Sequence, residues 1–438
     1  MRDKNFLKNK TELLAPAGSP EKLKYALAYG ADAVYCGIPE TSMRARINEF
    51  TEKNLKEAVE YVHKNGKKIF VTINIYAHNY HLAKIEKHLK YLSKIGIDGV
   101  VVSDLGVLEL VKKYLPKIDI HLSTQANTTN WQAAKFWYDY GVKRIVLARE
   151  VTLEDIREIH KKVPKLELEY FVHGAMCMSY SGRCILSKWM SNKSANLGDC
   201  SQPCRWAYKK VKNENKNIEK SLTMSVEDTR GEHQVELEED LHGTYFFNSK
   251  DLNLIRYVKE LRDAGVTSFK IEGRNKSVFY VATAVRAYRN VLSAIEKKVS
   301  QKELKGIIKQ EEKELDALMN RGYTQGFLLG NEPEHNFSQS HSKAKFQFVG
   351  EVLGTEKGNL ILIKAHNAIY SKDKVEIIGK EGNVKISIEK ILDEKMQEVV
   401  SAHGGQEKNF YLQIGKLNKK NEELIKPLSL LRKMVFEE

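Results

Sequence analysis

Two apolar runs, Ile69-Phe70-Val71-Thr72-Ile73 and Val100-Val101-Val102, show how this chain is built. An amphipathic segment precedes each run, Glu52–Lys64 before the first and Leu82–Lys94 before the second. Strands with one face in water alternate apolar and polar residues, whereas nearly continuous apolar runs are typical of strands buried on both faces of a parallel sheet. The two runs therefore predict parallel strands connected by helices.

The same alternation continues on both sides of these runs. The predicted strands, in chain order, are Leu13–Ala15, Ala33–Cys36, Ile69–Ile73, Val100–Val102, Ile120–Ser123, Ile145–Ala148, Leu168–Val172 and Phe269–Ile271. Eight strand–helix repeats predict an α/β fold, a (β/α)8 TIM-like barrel. An open doubly wound sheet is the alternative, but no G-x-G-x-x-G sequence follows the first strand.

The C-terminal part of the chain has a different pattern, with short strands separated by turns. These predicted strands are Phe346–Gly350, Leu360–Ile363, Val375–Ile378 and Val384–Ile388. We therefore predict a barrel over residues 1–295, a helical connection and linker over 296–339, and a small all-β barrel domain over 340–438. Within the first region, residues 169–206 form a cysteine segment, and residues 209–243 form a polar insert predicted as an exposed hairpin or loop.

The composition is that of a folded, basic protein. The chain has 438 residues, of which 42% are hydrophobic, and a formal net charge of +14 at pH 7. A hydrophobic fraction of this size excludes a wholly disordered chain. The positive charge suits a polyanionic partner such as RNA, and it equally suits a lysine-rich surface that only keeps a protein soluble. The sequence has no apolar run of membrane-spanning length and no signal peptide at its charged start, so we expect a cytoplasmic protein without a membrane partner.

Four of the five cysteines follow the seventh predicted strand with the spacing C-x6-C-x15-C-x3-C, at Cys177, Cys184, Cys200 and Cys204. In a cytosolic chain, clustered thiols indicate a metal site rather than disulfides. An iron–sulfur cluster tolerates irregular spacing, whereas structural zinc usually takes two short C-x2–4-C knuckles. The spacing leaves four interpretations open: an iron–sulfur cluster, a zinc ion, a redox pair and incidental thiols. The fifth cysteine, Cys36, lies in a predicted strand and is expected in the core.

Residues Glu169–Ser187, which read EYFVHGAMCMSYSGRCILS, resemble the signature of a known family. They match the pattern E-x-F-x-x-G-[SA]-[LIVM]-C-x4-G-x-C-x-[LIVM]-S of the collagenase-like peptidases of family U32. Agreement with that family extends to Glu12–Gly18, Asn248–Leu252, Lys270–Arg274 and Asn320–Thr324. The C-terminal strands also resemble the small barrel of the family.

The resemblance implies a function other than peptide hydrolysis. Relatives in this family hydroxylate tRNA, ribosomal RNA or quinone precursors without oxygen, and several bind a 4Fe-4S cluster through cysteines. The length and the C-terminal barrel are most similar to the branch that makes 5-hydroxyuridine at the tRNA wobble position and depends on prephenate. The resemblance thus implies tRNA and prephenate as partners and a 4Fe-4S cluster at the four clustered cysteines. The resemblance is also compatible with an electron donor or a homologous partner subunit as a further partner.

Two other functions stay as alternatives. The family name suggests a collagenase-type peptidase, although the sequence has no H-E-x-x-H, no G-x-S-x-G and no obvious Cys-His signature. A catalytic triad assembled from distant positions would leave no such motif. The second alternative is an RNA-binding scaffold that holds a structural zinc ion in place of the cluster.

Side chains at the carboxyl ends of the strands line the active site of a (β/α)8 barrel. We predict His173, Glu150 and Glu272 as catalytic residues at these ends. We predict substrate binding by six residues: Arg149, Arg274, Asn74, Asp104, Gln125 and Arg44.

Arg149 and Arg274 would anchor the carboxylates of prephenate, because a guanidinium group binds a carboxylate through paired hydrogen bonds. The alternative is that they pair with Glu150 and Glu272 as salt bridges at the barrel rim.

An RNA base must leave its stack to reach such a site, and aromatic side chains then hold it. The predicted stacking residues are Tyr180, Trp189 and Trp206, and the predicted phosphate contacts are Lys209, Lys210 and Lys212 together with the C-terminal barrel.

Overall fold

The computed structural model of the protein describes most of the chain. The described residues are 11–38, 41–42, 49–177, 179–184, 186–191, 193–202, 204, 207–208, 224–227, 234–237, 239–240, 243–245, 249–331, 334, 344–357, 359–405 and 408–435. They divide into two compact units. The first comprises residues 1–23, 32–275 and 320–342, and the second comprises residues 24–31, 276–319 and 343–438.

Eight parallel strands form the closed barrel of the first unit. They are β1 (Glu12–Pro16), β2 (Ala33–Gly37), β3 (Lys68–Ile73), β4 (Gly99–Val102), β5 (Asp119–Leu122), β6 (Arg144–Val146), β7 (Glu167–Ala175) and β8 (Val266–Ile271). Each strand pairs with the next along the chain, and β8 pairs with both β7 and β1, which closes the barrel. The predicted TIM-like fold is confirmed.

Helices connect the barrel strands. They are α1 (Pro20–Ala28), α2 (Glu52–Lys64), α3 (Asn79–Ile95), α4 (Leu105–Tyr114), α5 (Trp131–Asp139) and α6 (Leu153–Lys162). The side chains of Thr51, Asp104, Asn130 and Thr152 precede helices and accept a hydrogen bond from a main-chain N–H of the first turn. This capping fixes where each helix begins. A single turn of 3-10 helix, Thr124–Ala126, follows β5.

The longest connection lies between β7 and β8. It contains the turn Tyr180–Gly182, helix α7 (Leu186–Ser191), the turn Ala195–Leu197, the turn Ile255–Tyr257 and helix α8 (Val258–Asp263). The short strand Asp251–Asn253 pairs antiparallel with β7 and parallel with Tyr323–Thr324. Five further short strands form two antiparallel sheets: Ala207–Tyr208, Met224–Glu227, Gln234–Leu237, Glu239–Asp240 and Gly243–Tyr245.

The second unit contains helices and an antiparallel barrel. Its helices are α9 (Val278–Glu296), α10 (Gln301–Asp316) and α11 (Lys419–Leu424). Its main strands are β9 (Phe346–Glu356), β10 (Leu360–Ala365), β11 (Lys374–Ile378), β12 (Asn383–Leu392), β13 (Asn409–Ile414) and β14 (Leu430–Met434). They pair in the order β11-β14-β9-β10-β13-β12, and β11 pairs with β12 to close the barrel. The predicted all-β C-terminal barrel is confirmed.

Short strands complete this unit, and its core is aliphatic. Ile369–Tyr370 pairs with Ser401–Ala402, and Glu398–Val399 pairs with β12. Buried valine, isoleucine and leucine side chains of the six main strands fill the barrel. None of the described helices combines the length and the apolar character that crossing a membrane requires.

Candidate active site at the barrel mouth

Glu169, the first residue of the U32-like stretch, is fully buried inside the barrel. Its carboxylate pairs with Lys270 of β8 at 2.6 Å and with Arg144 of β6 at 3.2 Å. Burial raises the pKa of this carboxyl group, but the two cations outweigh burial and hold the pKa of Glu169 below its usual value. Burial also lowers the pKa of the Lys270 amine. Glu169 and Lys270 are therefore placed to stabilise the barrel interior.

Gly174 lets the ends of β7 and β8 approach closely. Its φ of 114° lies in a region that favours glycine, and a Cβ atom there would lie 2.6 Å from the main-chain oxygen of Glu272. The main-chain N–H of Glu272 also donates to the main-chain oxygen of His173 at 2.8 Å. The two predicted catalytic residues thus lie on neighbouring strand ends.

His173 and Glu272 are both buried at this end of the barrel. The His173 ring lies 5.7 Å, centroid to centroid, from the ring of Tyr323. His173 thus lies within the cysteine segment, four residues before Cys177, and Glu272 lies next to it on the neighbouring strand end; their catalytic roles stay predictions.

Asn74 and Gln125, two predicted substrate-binding residues, contact each other. The Asn74 amide nitrogen donates to Gln125 Oε1 at 3.3 Å and to Ser123 Oγ at 3.4 Å, and all three side chains are buried. The carboxyl ends of β3 and β5 are thus joined by a polar network at the mouth.

Arg183 ties the cysteine segment to that network. Its guanidinium group donates to the main-chain oxygen of Gln125 from Nε at 3.0 Å and from Nη2 at 2.9 Å. Its Nε also lies 2.7 Å from the hydroxyl of Tyr76, which in turn donates to the same oxygen of Gln125 at 3.0 Å. Because Arg183 directly precedes Cys184, this contact holds one of the four cysteines over the end of β5.

Glu150, at the end of β6, binds the same segment from another side. Its carboxylate accepts hydrogen bonds from the main-chain N–H and the hydroxyl of Ser181. The neighbouring Arg149 donates from Nη1 to the main-chain oxygen of Ala175 at 2.8 Å and lies 4.5 Å over the ring of Phe171. Within the described contacts, Arg149 and Glu150 therefore bind different partners and form no rim salt bridge with each other.

Arg274 lies on the opposite side of the mouth, after β8. Its Nη1 donates to Ser42 Oγ at 2.9 Å and to Thr72 Oγ1 at 3.0 Å, and its guanidinium carbon lies 5.5 Å from the ring centroid of Tyr35. These contacts orient the guanidinium group at the ends of β2 and β3. Its role as a carboxylate anchor stays a prediction.

Asp104 has an evident structural role. Its carboxylate accepts a hydrogen bond from the main-chain N–H of Val107 at 3.0 Å and caps helix α4. An aspartate directly before an apolar helical pattern is a usual N-cap signal, so the sequence already contained this information. Substrate binding by Asp104 stays a prediction.

The four clustered cysteines are accessible. Cys177 and Cys200 are exposed, and Cys184 and Cys204 are half-buried. Cys177 Sγ lies 2.9 Å from Ser179 Oγ, and Cys200 Sγ accepts a hydrogen bond from the main-chain N–H of Gln202 at 3.4 Å. Cys36 differs from them, because burial raises the pKa of its thiol to about 12. A thiol with so high a pKa stays protonated and is a poor ligand.

Hydrogen bonds hold the two halves of the cysteine segment together. The main-chain N–H of Ser201 donates to Ser187 Oγ at 3.0 Å, and the Ser191 and Ser201 hydroxyls lie 2.6 Å apart. The main-chain N–H of Cys184 donates to the side-chain oxygen of Asn196 at 3.4 Å. The chain around Cys200 thus returns to helix α7, which follows Cys184.

The donor set of this segment fits an iron–sulfur cluster or zinc. Thiolates are the ligands that both prefer, and four of them occur on one accessible segment. Across the described ranges, no three His, Cys, Asp or Glu side chains are grouped closely enough to hold a metal ion in this structure. The cysteine segment therefore has suitable ligand atoms. Its cysteine side chains would have to move closer together when a metal ion or cluster binds.

Several predicted residues lie outside the described part of the chain. They are Arg44, Trp206, Lys209, Lys210 and Lys212, together with the side chain of Trp189. Tyr180 is described, and its ring is 54% exposed beside the cysteine segment.

The structure adds functional candidates that the sequence analysis missed. Ser42 and Thr72 bind Arg274, and Tyr76 and Arg183 join the cysteine segment to β3 and β5. Arg183 occupies an unrestricted position of the signature, and Tyr76 lies three residues beyond a predicted strand end. Position at the strand end is the one sequence signal that could have pointed to Tyr76.

These features define a recognisable class of protein. It has a (β/α)8 barrel with a cysteine segment at its mouth, followed by a six-stranded antiparallel barrel. Residues 18–338 match the model of peptidase family U32, and residues 344–432 match the model of the U32 C-terminal domain. The chain belongs to peptidase family U32.

Curated relatives cover nearly the whole chain. A protein named tRNA hydroxylation protein P from Haemophilus influenzae is 39% identical over 427 residues, which are 90% of this chain and 91% of that protein. The tRNA hydroxylation protein P1 of Bacillus subtilis is 38% identical over 434 residues, or 98% of this chain and 96% of that protein. A collagenase of Porphyromonas gingivalis is 32% identical over 357 residues, which are 78% of this chain and 80% of that protein.

Proposed function

We propose that this protein is a tRNA-modifying enzyme that hydroxylates the wobble uridine to 5-hydroxyuridine without oxygen. Its support is the similarity, over at least 90% of this chain, to proteins named for tRNA hydroxylation. The similarity to the collagenase is lower in identity and covers less of the chain. A tRNA substrate also agrees with the expected cytoplasmic location and with the net charge of +14.

The observation that carries the proposal is the anchoring of the cysteine segment at the barrel mouth. Arg183 holds it to Gln125 at the end of β5, and Glu150 holds it to the end of β6. Enzymes of this fold perform their chemistry at this end of the barrel. The thiols are thereby held next to the surface on which a substrate would bind.

We propose Cys177, Cys184, Cys200 and Cys204 as the ligands of a 4Fe-4S cluster. When bound, such a cluster supplies one-electron transfer, whereas zinc has no redox chemistry. Hydroxylation of a ring carbon is a two-electron oxidation, so a redox group suits the proposed reaction. Because this oxidation of uridine releases two electrons and no oxygen takes them up, a partner that accepts electrons is needed, and we propose a protein electron carrier or a homologous partner subunit for this role.

We propose prephenate, a dicarboxylate, as the co-substrate, with Arg149 and Arg274 as its anchors. The Nη1 contacts to Ala175, Ser42 and Thr72 fix the orientation of both guanidinium groups. A guanidinium group that is already oriented loses little entropy when it binds a carboxylate. Phosphate contacts from the C-terminal barrel complete the proposed tRNA binding.

Anaerobic reconstitution tests the cluster. We expect wild-type protein to take up iron and sulfide in equal amounts, and substitution of Cys177, Cys184, Cys200 or Cys204 by serine to remove most of the bound iron. Cys36→Ala is the matched control and should retain the wild-type content, because Cys36 is buried elsewhere. Zinc in place of iron would instead support the scaffold alternative.

Mass spectrometry of tRNA nucleosides tests the reaction. A strain that lacks this gene and any paralogue should lose 5-hydroxyuridine derivatives, and the wild-type gene, but not Cys200→Ala, should restore them. Unchanged nucleosides in the deletion strain would contradict the proposal. Gelatin cleavage by metal-free protein that is unaffected by Cys200→Ala would establish the peptidase alternative.

A further inference from the structure

Three aromatic rings cluster at the start of helix α3, one on its N-cap residue and two in its first turn. The rings of His78 and Tyr80 are nearly parallel, at 6°, with centroids 5.5 Å apart, and the His81 ring lies 4.0 Å from Tyr80 and 5.8 Å from His78. The Tyr80 side chain is 71% exposed, compared with 59% for Phe136 on helix α5. We call His78, Tyr80 and His81 the aromatic triad.

Hydrogen bonds to the chain fix the position of the aromatic triad. The main-chain N–H of His78 donates to His81 Nδ1 at 3.0 Å, and the main-chain N–H of His81 donates to the His78 oxygen at 2.8 Å. The triad therefore presents its exposed ring surface from a defined position at the start of helix α3. A rigid aromatic surface loses little conformational entropy when a ligand stacks on it.

The aromatic triad is joined to the cysteine segment through Tyr76. The Tyr76 hydroxyl lies 2.7 Å from Arg183 Nε, and the Tyr76 main-chain N–H donates to the main-chain oxygen of Asn196 at 3.2 Å. The side chain of Asn196 in turn binds the main-chain N–H of Cys184. The triad, which begins two residues further along the chain, therefore lies beside the segment that holds the proposed cluster ligands.

Exposed cations lie near the aromatic triad in the chain, and the pKa of one of its histidines is lowered. Burial and the neighbouring His78 lower the pKa of His81, whose Nδ1 is occupied as a hydrogen-bond acceptor. Arg183 is exposed at the mouth, and Lys84 and Lys87 are exposed on the first turns of helix α3. Aromatic rings flanked by cations are a surface on which unpaired bases stack while phosphates are neutralised.

We infer that the aromatic triad is a binding site for unpaired RNA, where a nucleotide next to the target base stacks on Tyr80. This inference rests on the proposed tRNA substrate and adds a subsite to it. The target base must leave its stack to reach the barrel mouth, and its neighbour then needs a replacement stacking partner. Tyr80 offers that partner beside the cysteine segment, in addition to Tyr180, Trp189 and Trp206, which the sequence analysis assigned to the target base.

Fluorescence anisotropy with a labelled RNA hairpin, carrying a uridine in its loop, tests the inference on the full-length protein. We expect Tyr80→Ala to raise the Kd about tenfold, because each base that stacks on an aromatic side chain contributes that order of binding energy. Tyr80→Phe keeps the ring and should bind as wild type does. Phe136→Ala, which removes an exposed ring on helix α5, is the matched control and should leave the Kd unchanged.

The salt dependence of the Kd separates stacking from charge. Stacking releases no counterions, so the slope of log Kd against log salt should be the same for Tyr80→Ala and wild type. An altered slope, or a change in the sedimentation of the free Tyr80→Ala protein, would overturn the inference in favour of an electrostatic or protein-docking role. Equal RNA binding by wild type and Tyr80→Ala would also overturn it, whereas a wild-type protein that binds no hairpin would overturn the proposed tRNA function itself.

Discussion

Glu150 holds Ser181 in an unusual backbone conformation. The Glu150 carboxylate accepts a hydrogen bond from the Ser181 main-chain N–H at 2.8 Å and a second from the Ser181 hydroxyl. Ser181 has a φ of 44°, in the left-handed region that residues other than glycine adopt at a cost in free energy. Because Ser181 lies between Cys177 and Cys184, Glu150 determines the path of the chain between two proposed cluster ligands.

Removal of the Glu150 carboxylate should release this part of the cysteine segment. We expect Glu150→Ala to accelerate tryptic cleavage after Arg183 about tenfold, because local opening is opposed by hydrogen bonds that each contribute about 1 kcal/mol or more. Mass spectrometry of the early fragments measures the cleavage rate at that bond.

The matched control for this variant is Glu154→Ala, which changes an exposed glutamate in the first turn of helix α6. It should be cleaved after Arg183 at the wild-type rate. Equal cleavage rates in Glu150→Ala and wild type would show that Glu150 does not hold the segment. The predicted catalytic role would then be the only role assigned to Glu150.

The stability of the protein should decrease in mild acid because of His121. This residue is buried in β5, with its ring 4.5 Å from Phe70, and burial together with Arg144 and Lys270 holds its pKa well below the usual value. His121 therefore stays neutral in the folded protein, while the unfolded chain takes up a proton below a pH of about 6.5. The unfolded state then binds more protons, so the free energy of unfolding falls as the pH falls below that value.

Urea unfolding between pH 8 and pH 5 measures this effect. His121→Leu removes the titrating ring, so it should reduce the pH slope of the free energy of unfolding by up to about 1.4 kcal/mol per pH unit. The comparison uses the slope rather than the absolute stability, because the substitution also changes packing against Phe70. An identical slope in the variant and the wild type would show that His121 is not the group responsible.

The sequence alone was sufficient to predict the (β/α)8 barrel, because its strands have a local apolar pattern. Runs such as Ile69–Ile73 and Val100–Val102 are apolar without interruption, and the structure has strands at both. The last strand, β14, was not predicted, because it contains Arg432. This arginine is buried only because Glu376 and Glu314 bind it, and partners so far away in the chain leave no local pattern.

The position of the candidate site could be predicted, but not its contacts. Parallel strands place their carboxyl ends at one edge, so Asn74, Gln125 and Glu150 follow from strand order alone. The partner of Arg183 is the main-chain oxygen of Gln125, and every residue has such an oxygen. Hydrogen bonds to the main chain depend on the folded path of the chain, and residue types do not reveal them.

Loss of one partner from the buried pair of Glu169 and Lys270 should destabilise the protein. Glu169→Gln leaves the Lys270 charge buried without its carboxylate partner, so we expect the free energy of unfolding, measured in urea, to fall by about 3–5 kcal/mol. Asp263→Asn breaks the exposed pair of Lys259 and Asp263 and should cost less than about 1 kcal/mol. The double variant Glu169→Gln/Lys270→Met removes both buried charges and should recover part of the loss. A double variant less stable than Glu169→Gln alone would mean that Lys270 stabilises the barrel independently of Glu169, through Tyr35 and Phe171, over whose rings its amine lies.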